Sequence, residues 1–487
     1  MYNLLGEKME NLHKMKFKRL FSVNFYKNLK LKLAEMSFYK DFVNDKRGDL
    51  YPLIENIDCN ESVEGGYYRT EGNKSERLCC SYFPYATYEA TIDNLDGNCG
   101  FGFVTPLGKV EILLKNSGGN ISLLHDGAEI AVARSFESGM SLLITARKNN
   151  FEIYLNYGKM PEFIAEFKSE KLDGIHFEKN FKASKVTLIC KGKVSVSKVE
   201  SYMDAGLSQA DIRPVKYENG DIIVENGKMF FTLSARMRAE YYQAVVSWIP
   251  GTCEFCLTGA IFFDTGDGAW CSDVATSLKF NRFTNKWNLW VCSFSHDHIL
   301  ASAEFDGDLR FGVNVLDVKL MEKGDKDGDR TAFVGFWGDE DPDFVYDEKS
   351  EKWFFTVCRL ADMPDGKLKY AYHLFEGDDP FNCNKFVTRS GDGAETGGSM
   401  VYIGDKLHFV CGNDFDLRAN YRVYDLPDLK NYTEMEFDYD DGGFRGWGTI
   451  VPIKMGTRTR YFHLTFDRHN ASDYNWSYGN LYCFEAE

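Results

Sequence analysis

Asp211, Asp341 and Glu395 each stand a short step ahead of a strand-like run. In "DEDPDFVYDEKSEKWFFTV" (Asp339–Val357) and "AETGGSMVYIGDKLHFV" (Ala394–Val410) the acid precedes a short strand, a turn and a second strand rich in apolar and aromatic residues. The steps agree, since Asp341 to Trp353 and Glu395 to Leu407 are both 12 residues. Carboxyl groups brought to one pocket can divide proton-transfer work. One donates a proton to a leaving oxygen, a second activates water or attacks, and the charge of a third discourages ionisation of the donor. Such a set suits cleavage of a glycosidic bond.

Repeats would bring these acids together. From Leu207 onward five segments share one plan: an acidic or aromatic start, a short strand, a turn and an aromatic strand. They begin around Asp211, Asp273, Asp341, Glu395 and Trp447. Five units of roughly 56 residues fit a five-bladed β-propeller of four-stranded blades. In that fold the innermost strand of each blade starts at one face of a central channel, so acids at the strand starts ring one mouth. Asp273, in blade two, would bind sugar hydroxyls or cap a turn. Asp343 replaces Asp341 if the register moves to the next inward-facing position.

The order Asp, Asp-Pro, Glu over blades one, three and four resembles the pattern of glycoside hydrolase family 43 and its relatives, the five-bladed propeller glycosidases. "EDPDFVYDEKSEKWFFTV" is similar to that family's third-blade motif, and "ETGGSMVYIGDKLHF" to its fourth-blade strand. The resemblance covers residues 204–487. It implies that Glu395 is the general acid. Asp211 would be the general base of an inverting enzyme or the nucleophile of a retaining one, and Asp341 would orient the sugar and raise the pKa of Glu395. The chain departs from the pattern in two places. Blade one reads Ala-Asp-Ile-Arg-Pro rather than Ala-Asp-Pro, and Glu395 is followed by Thr-Gly-Gly rather than Gly-Pro. The Asn-Asp-Pro-Asn-Gly start and the Arg-Asp-Pro arginine of fructan-cleaving relatives are both missing, which argues against fructans.

Sugar sites need aromatic platforms and forked polar groups. Trp270, Trp337 and Trp447 fall in expected channel-face loops, His296 lies in the loop "FSHDHIL", and Arg213 and Arg445 fall near the same mouth. These six and Asp273 complete the expected substrate-binding set. No metal or cofactor is assigned. "CEFC" at Cys253–Cys256 has zinc-like spacing, but no matching second pair follows it. An alternation within a β-hairpin explains it as well.

Residues 50–203 read as a separate all-β domain. "FEIYLNY" and "KVSVSKV" alternate with period two, and short runs are parted by Gly and Asn-Asp turns. That spacing suggests a β-sandwich, resembling concanavalin-like or laminin-G-like jelly rolls, with a sugar-binding or bracing role. The expected fold class is therefore all-β, an N-terminal sandwich (residues 50–203) followed by the propeller (residues 204–487). A basic leader over residues 1–49 precedes both and is expected to be helical.

The charge limits the partners. Net charge is −16 at pH 7, which disfavours nucleic acid. Residues 1–48 carry 11 Lys and Arg against 5 Asp and Glu, so the excess of acid lies in the rest. The leader has no uninterrupted apolar stretch or small-residue cleavage site, and no run of about 18 apolar residues marks a membrane span. With 13 cysteines, an odd number, and no secretion signal, reduced thiols and a cytoplasmic location are expected. The oligomeric state is not legible. A short oligosaccharide or glycoside is the expected substrate, and inverting hydrolysis the expected reaction. Two alternatives remain open, a glycoside phosphorylase on the same fold and a non-catalytic carbohydrate-binding protein.

Overall fold

The structure of the protein is a computed structural model. It describes residues 11–36, 38 and 53–486, apart from residues 65, 118, 239, 326–327, 392, 414–419, 439–443, 457 and 468–479. Strand dominates the described chain, and helix is confined to a few short turns, as the alternating patterns predict. No described helix is long and apolar enough to cross a membrane. The chain divides into two compact units. One comprises Met1–Leu29, Ala205–Asp267 and Cys271–Glu487, and the other comprises Lys30–Asp204 and Gly268–Trp270.

The second unit is one continuous eleven-stranded sheet with two arms. Its two longest strands, Thr87–Thr105 and Lys185–Asp204, pair along almost their whole length. Residues 87–92 pair with Met140–Arg147, whereas residues 98–105 pair with Gly108–Ser117. The changeover lies where Gly97 faces Gly192. Both have left-handed φ, and a Cβ on Gly97 would sit 2.0 Å from the Lys191 carbonyl oxygen. Phe103 of one arm lies 5.1 Å from Phe151 of the other, so the arms close over a shared aromatic core in a sandwich-like arrangement.

The first unit is a five-bladed β-propeller. The inner strands are Ser208–Pro214, Val274–Asn281, Glu340–Asp347, Glu395–Ile403 and Phe444–Met455. Each contacts the inner strands of its two neighbours, the fifth contacting the first, so the ring is closed. Blade three shows the plan most simply, Glu340–Asp347, Lys352–Asp362, Leu368–Gly377 and Lys385–Arg389 pairing in sequence order.

Blade five does not. Its strands Phe444–Met455, Arg458–Asp467 and Leu481–Ala486 are completed by Lys16–Val23. Over the described part of the leader the expectation of a helix is therefore overturned, since residues 16–23 and 30–36 are both strands, while residues 1–10, 37 and 39–49 lie outside the described residues. The reason is visible in "KFKRLFSV" and "KLKLAEM". Lys alternates with apolar residues, a period of two that places Phe17, Phe21 and Val23 inward whatever the charge between them. Phe17 is buried beside Val401, Ile450 and Phe484, between blades four and five. We expect Phe17→Ala to lower stability by about 3–5 kcal/mol in urea unfolding. Exposed Lys18→Ala should stay within roughly 0.5 kcal/mol. Equal effects would mean that the strand does not close the ring.

Candidate active site

The inner strands share a local feature that sets the site. In blades one to four the ladder to the second strand slips after residues 210, 274, 340 and 396. The first slipped residue has left-handed φ every time: Asp211 (55°), Ala275 (56°), Asp341 (50°) and Gly397 (64°). These are β-bulges, which re-aim a side chain near a sheet end, and non-Gly residues held so cost of order 1–3 kcal/mol. Asp tolerates the conformation better than most residues. Blade four has no choice. A Cβ at Gly397 would sit 2.0 Å from the Gly446 carbonyl oxygen. The bulges therefore supply two carboxylates, Asp211 and Asp341.

Asp341 is 3% exposed and heavily bonded. Its Oδ1 accepts from Arg213 Nη2 at 3.2 Å, and its Oδ2 accepts from the Gly397 amide at 2.8 Å and Thr396 Oγ1 at 3.1 Å. Thr396 Oγ1 in turn accepts from Trp447 Nε1 at 2.7 Å. Arg213 also donates to the Pro342 carbonyl at 2.7 Å. Asp211, 6% exposed, accepts from Ser234 Oγ at 2.7 Å. Burial, and next the negative charge of Asp341, push its pKa up to about 6. Arg236 and Arg213 pull the other way.

Glu395 lies elsewhere. It stands two residues before the bulge of blade four, as Asp339 and Asp273 do in blades three and two. All three are buried and serve their own surroundings. Asp339 pairs with Arg359 at 3.0 Å, and Asp273 accepts from Ser293 Oγ at 2.7 Å and the Ser295 amide at 3.0 Å. Glu395, 0% exposed, accepts from Arg422 at 3.1 Å, and from Tyr424 and Ser390 by short hydrogen bonds. Arg422 and Tyr424 lie on the third strand of blade four (Asn420–Asp425). The equal 12-residue steps from Asp341 and Glu395 thus join non-equivalent positions. The hairpin after Asp347 has four residues and that after Ile403 has two, and the difference of two is the offset.

Asp343 is an acceptor in a polar plug further along the strands. It pairs with Lys279 at 2.8 Å and accepts from Ser277 Oγ and the Met400 amide, both at 2.7 Å. Lys216 Nζ donates to the Met400 carbonyl at 2.7 Å, and burial lowers its pKa to about 7.

The expected aromatic platforms are dispersed. Trp447 reaches Asp341 through Thr396, as above. Trp337 is 50% exposed and lies 6.5 Å from His298. Trp270 is nine-tenths buried in the sandwich unit, its ring 4.9 Å from Phe181 and 6.0 Å from Phe83. It is therefore not a channel-face platform. Its loop leaves the propeller strand order for three residues, which adjacency in sequence does not reveal. His296 Nδ1 bonds Ser293 Oγ at 2.8 Å, beside the Asp273 cap. The side chain of Arg445 lies outside the described residues.

Several groups were not singled out from sequence. Thr396 and Ser234 bond the two bulge carboxylates directly, and Arg236 lies 6.0 Å from the Trp447 ring. Glu340, beside Asp341 and partly exposed, bonds His298 at 3.3 Å and Tyr370 at 3.4 Å. Phe294 stacks on His298 at 4.1 Å. Only the adjacency of Glu340 to Asp341 was a signal in the sequence.

No protein-family model matches the chain, and no curated protein does. Solved structures do. A glycoside hydrolase matches at 9% identity and TM-score 0.37, covering 56% of this chain, which spans 58% of that protein's length. Bacillus subtilis levansucrase matches at 12% identity and TM-score 0.37, covering 57% of this chain and 83% of its own. An endo-1,4-β-xylanase from Bacteroides thetaiotaomicron matches at 13% identity and TM-score 0.37, covering 57% and 90%. The larger unit of the chain is thus a five-bladed β-propeller by its own strand order, and glycoside hydrolases are among the solved structures it resembles.

Proposed function

We propose that the propeller is a glycoside hydrolase whose working pair is Asp211 and Asp341. The observation that carries this reading is the placement of the two carboxylates on equivalent bulges of blades one and three, coupled through their charges and flanked by Arg213. Their environments differ in the sense that acid–base work requires. Asp211 holds its proton to unusually high pH and acts as the donor to the leaving oxygen. Asp341, gripped by three donors, acts as the carboxylate partner. This gives Asp211 the acid's role expected of Glu395, and Asp341 the role of base or nucleophile expected of Asp211. A short oligosaccharide or glycoside is the substrate, held against the exposed Trp337.

A second reading is carbohydrate binding without cleavage. The burial of Glu395 favours it, because the third carboxylate of the expected set is committed to Arg422 and Tyr424. A panel of aryl glycosides, assayed with and without phosphate, separates the two. We expect hydrolysis of one sugar class without phosphate, falling as pH rises through about 6, where Asp211 loses its proton. Turnover that appears only with phosphate would make the protein a phosphorylase. No turnover of any glycoside, together with a glycan that binds, would establish the second reading.

A further inference from the structure

Apart from the bulge carboxylates, three potential metal ligands, His13, His408 and Asp425, bring their ligand atoms within 4.8 Å of one another. His13 is on the short 3-10 turn Leu12–Lys14, just before the strand that closes the ring. His408 and Asp425 face each other across the second and third strands of blade four. His13 Nε2 lies 2.7 Å from Asp425 Oδ1. His408 Nδ1 lies 2.9 Å from the same oxygen, but at an angle that makes no hydrogen bond, and this buried nitrogen has no other partner among the described residues. We propose that His13, His408 and Asp425 form a zinc site that fastens the N-terminal segment to blade four.

The chemistry favours a cation over a bare ion pair. One carboxylate oxygen faced by two imidazole nitrogens satisfies one of them, whereas a metal ion takes all three atoms. Two imidazoles select a transition metal over calcium or magnesium, and a set of two His and one carboxylate with an open fourth position is a zinc arrangement. Bonds of about 2.0–2.2 Å in a tetrahedron hold ligand atoms roughly 3.4 Å apart, so each histidine nitrogen need draw back from the Asp425 oxygen by only about 0.5–0.7 Å. The neighbours suit the role. Thr433 Oγ1 bonds His13 Nδ1, leaving Nε2 for a metal, and Lys406 bonds the outer Asp425 oxygen. Metal-bound histidines are commonly oriented in this way through the other ring nitrogen.

The test uses the full chain with Cys253→Ser and Cys256→Ser, so that exposed thiols do not compete for added metal. Cobalt(II) should give visible bands of a four-coordinate nitrogen–oxygen site, without a near-ultraviolet thiolate band, and zinc should abolish them. Zinc should raise Tm, EDTA should reverse the rise, and hydrogen exchange over residues 16–23 should slow. His13→Gln should weaken zinc at least about 10-fold. The absence of both a cobalt spectrum and a zinc-dependent Tm shift in the protein that retains His13 overturns the proposal, without reliance on how the variant folds. Unchanged zinc affinity in a folded His13→Gln protein overturns it equally.

Discussion

Asp211→Asn is expected to lower kcat/KM by about 10²–10⁴ while leaving Tm at pH 7 unchanged or higher. The two halves of this expectation share one cause. Folding holds the Asp211 carboxyl in a buried place beside Asp341, and its pKa rises to about 6. A raised carboxyl pKa contributes stability below the ordinary carboxylate value. That contribution is lost as pH rises through about 6, because the folded protein must then carry a charge that the unfolded chain bears more easily. At pH 7 the amide of Asn removes that burden and keeps a group able to bond Ser234, so stability does not fall. It cannot give up a proton, so donation to the leaving oxygen stops. Asp341→Asn supplies a sharper readout. It removes the charge that helps to raise the Asp211 pKa, so the pH at which activity declines should move down. A pH–rate profile unmoved in Asp341→Asn would end the acid assignment of Asp211, whatever the loss in rate.

The second large effect concerns Glu395, and it is on stability. Glu395→Ala leaves the Arg422 guanidinium buried without its carboxylate and leaves Tyr424 and Ser390 without their acceptor. Breaking one side of a buried charge pair costs about 3–5 kcal/mol. Glu395→Gln keeps acceptor capacity at one oxygen and should cost less, about 1–3 kcal/mol. Turnover per folded molecule should change by no more than a few fold in Glu395→Gln. Chemical denaturation together with kinetics on the soluble fraction checks both. A Glu395→Gln protein of normal stability that hydrolyses only substrates with good leaving groups would restore Glu395 as the acid.

How far these features were legible follows from which contacts are local. The alternation of "FEIYLNY" and the paired-strand plan of "VYDEKSEKWFFTV" depend on neighbours a few residues apart, and the architecture emerges from them. The Asp211 and Asp341 bulges fall where strand starts were read. The fourth carboxylate position was misread because steps were counted back from second strands, and hairpin length differs between blades three and four. Two partners of Glu395, Arg422 and Tyr424, lie on a third strand, and those of Trp270 lie 89 and more residues away, at distances no periodicity encodes. The leader was misread for a different reason. Its lysines suggested a solvated helix, whereas the apolar residues between them carried the period of a strand.

The last blade is completed by residues 16–23, which pair with residues 481–486. During synthesis the first of these partners leaves the ribosome long before the second exists. At about 5–20 residues per second the interval is roughly 25–95 s. The sandwich strands, contiguous from Lys30 to Asp204 but for three residues, can form within that time. The propeller cannot finish. Its opening strand must wait as an unpaired edge, the kind of edge that invites association with another chain. The lysines at positions 16 and 18, both exposed and one paired to Glu436 in the finished blade, give that waiting strand a charged rim until its partner arrives.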